Sequence, residues 1–167
     1  MVDDKVRLNK IAILYGANAS GKSNMLFALQ TVFRLLTTPK STRDKKIACY
    51  HPFALAKGEP TRMGLSFYAD AVRYDYEISY NEDYILSETL NFYPKGYKAL
   101  FYSREFVSES SAANISFGTS AEIRKKAENI FVSNTLNNHT VLSTYAKVAF
   151  DEDVKAVSEL FAWITGS

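Results

Sequence analysis

A chain of 167 residues is one domain's worth, long enough to bury a core, and with 47% hydrophobic and 23% charged residues it is not disordered as a whole. A net charge of +2 is too small to imply nucleic acid, and no apolar run approaches the roughly 20 residues that span a bilayer, so no membrane is expected as a partner. The polar start at residues 1–10 is no signal peptide and the single cysteine, Cys49, excludes an internal disulfide, so the expected compartment is the cytoplasm.

The first predicted element is a strand, the apolar run at residues 11–15. It leads into Gly16-Ala17-Asn18-Ala19-Ser20-Gly21-Lys22-Ser23, a match to G-x-x-x-x-G-K-[ST], the phosphate-binding P-loop, also called Walker A. Met25, Leu26, Leu29, Val32, Phe33 and Leu36 then recur at helical spacing, which predicts a helix over residues 22–37. A loop between strand and helix turns backbone N–H groups inward, and an anion there meets the positive end of the helix dipole. Gly16 and Gly21 allow the peptide to wrap a phosphate chain. Lys22 would reach the β- and γ-phosphates, and the Ser23 hydroxyl would be a ligand of Mg²⁺. Asn18 and Asn24 are further polar contacts, so Gly16, Asn18, Ala19, Ser20, Gly21, Lys22, Ser23 and Asn24 form the expected nucleotide site, with ATP and Mg²⁺ as cofactors.

Thr37-Thr38-Pro39 ends the helix, and residues 38–61, with Pro39, Pro52 and Pro60, read as a long connection. It carries a basic cluster, Lys40, Arg43, Lys45 and Lys46, which fits a solvated loop, and a lone His51 with no ligand partner nearby. From residue 62 the period becomes two. Val72, Tyr74, Tyr76, Ile78 and Tyr80 alternate with polar residues as in a half-buried strand, and residues 64–69, 84–93 and 98–104 are its expected neighbours. Asp70-Ala71, Asn81-Glu82-Asp83 and Pro94-Lys95-Gly96 are turn chemistry short enough for hairpins, giving an antiparallel meander whose tyrosines read as sheet packing rather than a base-stacking platform. Residues 112–117 add a short strand, Thr119 and Glu122 make a capping box for a helix to about residue 131, and residues 132–140 read as a polar loop. A last helix is expected over residues 151–165, with Gly166 beyond its end.

A nucleotide hydrolase also needs an acid at the end of a second strand to hold Mg²⁺ and a group that positions water. Asp151 and Glu152 follow a short apolar run, but Asp151 has a simpler task as cap of the last helix. Gln30, the only glutamine, lies two turns along the P-loop helix and points away from the phosphates. The catalytic residues are therefore unknown from the sequence. The parallel strands of small-molecule kinases and GTPases, which would show as apolar runs alternating with helices, are absent from the pattern.

Residues 9–24, Asn-Lys-Ile-Ala-Ile-Leu-Tyr-Gly-Ala-Asn-Ala-Ser-Gly-Lys-Ser-Asn, resemble the ABC-type ATPases of the SMC and RecF kind. More narrowly they are similar to bacterial AAA-family ATP-binding proteins related to the overcoming-lysogenization-defect (OLD) nucleases, found in anti-phage systems. Pro52-Phe53, Tyr74-Asp75-Tyr76, Ser87-Glu88-Thr89-Leu90 and Leu100-Phe101-Tyr102-Ser103-Arg104 fall in the order that family shows. The resemblance implies an α/β fold, the N-terminal lobe of a P-loop NTPase of ABC-ATPase type with an antiparallel β-meander and an incomplete core sheet. It implies one nucleotide-binding lobe over residues 1–167: strand, P-loop and helix in 1–37, a connection in 38–61, the antiparallel β region in 62–117 and a helical region in 118–167. The signature motif, magnesium-binding acid, catalytic glutamate and switch histidine of that family come from a later half, so hydrolysis is expected only with that half and on homodimerisation. A nuclease or DNA partner follows from the analogy alone. Ala19 stands where many such loops have glycine, and the family's Q-loop glutamine has no counterpart.

Two rival readings stay open. A small P-loop phosphotransferase would need mobile lid arginines, for which Arg104 and Arg124 are the candidates. A non-hydrolysing interaction module would keep the P-loop as a structural anion site and bind a protein through the tyrosine-rich sheet.

Overall fold

The computed structural model describes residues 11–43, 46–52, 55–56, 58–108, 113–150 and 154–166. Its centre is a five-stranded antiparallel sheet in sequential order, β1 (Thr61–Ala69), β2 (Val72–Tyr80), β3 (Ile85–Phe92), β4 (Ala99–Glu105) and β5 (Asn114–Phe117). The expected meander is therefore present, and its turns follow from their residues. Ala69 pairs with Val72, leaving Asp70 and Ala71 as a two-residue loop with φ of 47° and 69°, the doubly left-handed turn that matches strand twist. Asn81 Oδ1 accepts from the N–H groups of Asp83 and Tyr84 and closes the next turn, and Gly96 supplies φ 77° in the third.

The period-two pattern of β2 reads out as burial, with Tyr74, Tyr76, Ile78 and Tyr80 all in the core. On β4 the alternation breaks. Leu90 pairs with Tyr102 but Asn91 with Leu100, so a bulge lets Phe101 and Tyr102 both turn inward, where Phe101 packs edge-on against Phe92. The opposite face stays polar, with Asp75 accepting from Ser66, Arg73 and Tyr93.

Helices cover the apolar face: α1 (Lys22–Thr37), α2 (Lys125–Asn134), α3 (Val141–Tyr145) and α4 (Lys155–Thr165). One continuous core results, in which Val32, Leu35 and Leu36 of α1, Phe131 of α2, Leu142 of α3 and Val157 and Leu160 of α4 meet the sheet residues. Helix α1 has the expected limits. The expected helix from Thr119 does not form there. Residues Thr119–Ala121 make a single 3₁₀ turn, Glu122 turns left-handed at φ 54°, and α2 begins only at Lys125. Gly118 lies so tightly on β4 that a Cβ would collide with the Leu100 carbonyl, and the left-handed Glu122 ends the turn that follows it. The last helix starts at Lys155, with Gly166 left-handed at its end as expected, while Asp151 and Glu152 lie outside the described residues. No helix among the described residues is long and apolar enough to cross a membrane.

The predicted P-loop strand is the clearest departure. Residues 11–15 pair with no strand among the described residues and lie in solvent, with Ile11 80% and Tyr15 88% exposed. A strand exists only through its partners' hydrogen bonds, and the sheet formed by β1–β5 does not extend to this run.

Candidate functional site

The P-loop closes on itself before α1 begins. Ser20 N–H donates to Ala17 O at 3.2 Å, Ala19 takes φ 64° and Gly21 φ 90°, and Met25 N–H makes the first helical bond to Gly21 O. Two left-handed residues so close together turn the intervening peptides inward. The left-handed region costs Ala19 about 1 kcal/mol that glycine would not incur, so Ala19 is a strained position rather than a neutral one. A Cβ at Gly16 would lie 2.6 Å from Ser20 Oγ, a contact that rotation of the exposed serine side chain relieves.

Lys22 bends back over the loop. Its ammonium donates to Gly16 O and Ala17 O, each at 2.6 Å, and reaches Ser20 Oγ at 3.4 Å. The loop's own carbonyls thus hold the charge beside the amino end of α1. Gly21 caps that helix without a side chain and its first turn holds no acid, so the first-turn N–H groups keep their donor capacity for an external anion. Ser23 and Asn24 are exposed on this turn and Asn18 at the loop's tip.

These residues fit a phosphate group: free N–H donors at the amino end of α1 and a cation beside them. They fit Mg²⁺ only in a limited sense. No group of three His, Cys, Asp or Glu side chains able to hold a metal occurs among the described residues, and Ser23 offers one hydroxyl. Mg²⁺ bound beside phosphates needs little more from the protein, because water and phosphate oxygens complete its octahedron.

The other sequence candidates scatter. Gln30 and His51 are exposed, and Gln30 is two turns from Lys22. Arg124 caps α2 in a cleft of about 480 Å³ lined also by Ser120, Glu122, Lys155 and Glu159, which contains no P-loop residue. Arg104 is wholly buried and so is no mobile lid residue.

Arg104 belongs to a polar centre that sequence reasoning missed. It stands opposite Glu88 in the β3–β4 register, and both side chains are fully out of solvent. Glu88 Oε1 accepts from Tyr102 Oη at 2.7 Å and Tyr76 Oη at 3.2 Å, and Oε2 accepts from Val141 N–H at 2.9 Å. Burial pushes the Glu88 carboxyl up, against the opposing pull of Arg104 and these three donors. Burial likewise lowers Arg104, while the Glu88 charge holds it up. The guanidinium donates to His139 O and Leu136 O, leaving Nε without a partner. His139 is also buried, and burial, with Lys147 and Arg104 nearby, brings its imidazole down to about 3, so it is neutral. The signal for this centre was the run Asn137-Asn138-His139-Thr140, four side chains that bind backbone readily.

A family model for an AAA domain, described as a candidate AbiEii toxin of type IV toxin–antitoxin systems, matches residues 11–141. The matched span opens on the P-loop run, contains α1, the whole sheet and α2, and closes at Val141, whose N–H binds Glu88. No curated protein and no solved structure matches the chain. Matched over more than three quarters of its length, with residues 16–23 near the head of the match, the chain belongs to this AAA-domain family.

Proposed function

We propose that the chain is the ATP- and Mg²⁺-binding lobe of an ABC-type ATPase of the SMC, RecF and OLD kind, acting in the cytoplasm. The amides of residues 16–21 cradle the β-phosphate, Lys22 leaves its carbonyl partners to neutralise phosphate charge, and Ser23 holds the metal. The metal supplies charge neutralisation on the phosphates. Membership of a family described with type IV toxin–antitoxin systems supports a place in anti-phage defence.

The observation that carries this reading is the surface around the loop. Ile11, Ile13 and Tyr15 before it and Met25, Leu26 and Phe27 after it are each more than 60% exposed. A continuous apolar run is what a parallel strand buried on both faces looks like, and apolar residues clustered on this scale mark a surface that something covers. In this reading a second lobe supplies the covering strands, and two such heads sandwich the nucleotide, so hydrolysis needs that lobe and homodimerisation. The same surface serves the rival reading of a non-hydrolysing interaction module, which differs in being indifferent to nucleotide. The phosphotransferase reading loses its lid arginine at Arg104.

Filter retention of labelled ATP with and without Mg²⁺, on the native chain and on Ser23→Ala, tests the assignment. Retention strengthened by Mg²⁺, a loss of that strengthening in Ser23→Ala, and phosphate release at background are the expected results. Retention indifferent to both Mg²⁺ and Ser23 contradicts the metal role.

A further inference from the structure

Three consecutive buried residues, Asn138, His139 and Thr140, grip the carboxyl end of α1 and the chain that leaves it. Thr140 Oγ1 donates at 2.7 Å to Leu35 O, a last-turn carbonyl with no partner inside the helix. His139 Nδ1 accepts from Lys40 N–H at 3.0 Å, and Asn138 Nδ2 donates to Thr42 O at 2.8 Å and Arg43 O at 3.3 Å. From the other side the sheet holds this stretch at His139 and Val141, through Arg104 to the His139 carbonyl and Glu88 to the N–H of Val141.

Among the described residues the amino end of α1 has no comparable hold. None of residues 22–31 is buried, so the packing of this helix lies in its second half, at Val32, Leu35 and Leu36. At 16 residues the helix is about 24 Å long, so a tilt of about 5° at the clamped end moves the loop end by about 2 Å. Displacements of about 1 Å in a positioning element are enough to change function by orders of magnitude.

We propose that Asn138, His139 and Thr140 form a positioning clamp that sets the tilt and rotation of α1 against β3 and β4, and thereby the place of the phosphate loop at its far end. The clamp's effect on phosphate binding rests on the nucleotide reading above; its effect on the helix does not.

Thr140→Val removes the hydroxyl that donates to Leu35 O and also accepts from Ser143 N–H at the head of α3, while keeping a branched side chain, and Thr140→Ser restores it. Spin labels at Gln30→Cys and Glu105→Cys, with Cys49→Ala, report the distance between α1 and the sheet, and calorimetry reports ATP affinity with Mg²⁺. Expected are one narrow distance in the parent, a broadened distribution with at least a roughly fivefold weaker affinity in Thr140→Val, and recovery of both in Thr140→Ser. A folded Thr140→Val with parental distances overturns the clamp, and altered distances with parental affinity overturn its role at the phosphate loop. Should Thr140→Val not fold, Asn138→Ala, which releases Thr42 O and Arg43 O, is read by the same two outcomes. A parent that binds no ATP removes the nucleotide reading, and the distances still decide the clamp.

Discussion

Glu88 on β3 and Arg104 on β4 face each other across one rung of the sheet, fully buried, yet their nearest nitrogen and oxygen stand 3.9 Å apart. The pair is joined by its field, because each partner's hydrogen bonds go elsewhere, the carboxylate's to two phenols and a backbone N–H, the guanidinium's to two carbonyls. Removing one charge strands the other without water. Arg104→Met is therefore expected to lower unfolding free energy by about 3–5 kcal/mol, and Tyr102→Phe, which removes one donor, by about 1–2 kcal/mol. Urea unfolding of the three proteins gives the ranking, and an Arg104→Met loss no larger than that of Tyr102→Phe contradicts the arrangement.

His139 gives the fold a pH dependence of definite sign. Its folded pKa of about 3 lies below the ordinary value of about 6.5, so unfolding takes up a proton between the two. Its contribution to stability is complete above about pH 6.5 and falls as pH drops toward 3, by up to about 1.4 kcal/mol per pH unit. Glu88 acts in the opposite sense, since a carboxyl raised by burial protonates in the fold first and gains stability as pH falls. Comparing urea midpoints of the parent and His139→Gln from pH 7 to 4 isolates the histidine. The parent should lose stability more steeply; parallel curves contradict a buried neutral imidazole.

Phe27, 63% exposed on the amino half of α1, makes no contribution to the core among the described residues. Phe27→Lys is expected to change stability by less than about 0.5 kcal/mol while reducing self-association, measured by melting and by sedimentation. A large loss of stability means that this half of the helix is packed within the chain.

Two alanines sit where glycine is favoured. Ala71→Gly, at φ 69° in the β1–β2 turn, should raise stability by about 0.5–1 kcal/mol in urea unfolding. Ala19→Gly, at φ 64° in the exposed loop before α1, should likewise raise stability, by no more than about 1 kcal/mol in the same measurement. A destabilised Ala71→Gly or Ala19→Gly contradicts the backbone assignment.

The meander was legible because its information is local: period two at Tyr74, Tyr76, Ile78 and Tyr80 reports one buried face, and the turn residues between strands set the connections. Helix α1 was legible for the same reason, while the strand expected at residues 11–15 did not form among the described residues. What depends on distant partners was not. The Glu88–Arg104 register, 16 residues apart, needs the β4 bulge to be placed, and the grip of Thr140 on Leu35 spans 105 positions. Arg104 looked available for phosphate because nothing in its neighbourhood announces burial, and residues 132–140 looked like a surface loop because their polar side chains bind backbone that is remote in sequence.

Calorimetric titration of the purified chain with ATP and Mg²⁺, beside Lys22→Ala, tests the central claim most directly. The account predicts saturable binding by the native chain and at least about tenfold weaker binding by Lys22→Ala, the loss expected for a charge-assisted contact worth about 1.5–3 kcal/mol. Equal affinities, or no binding by the native chain, would contradict it.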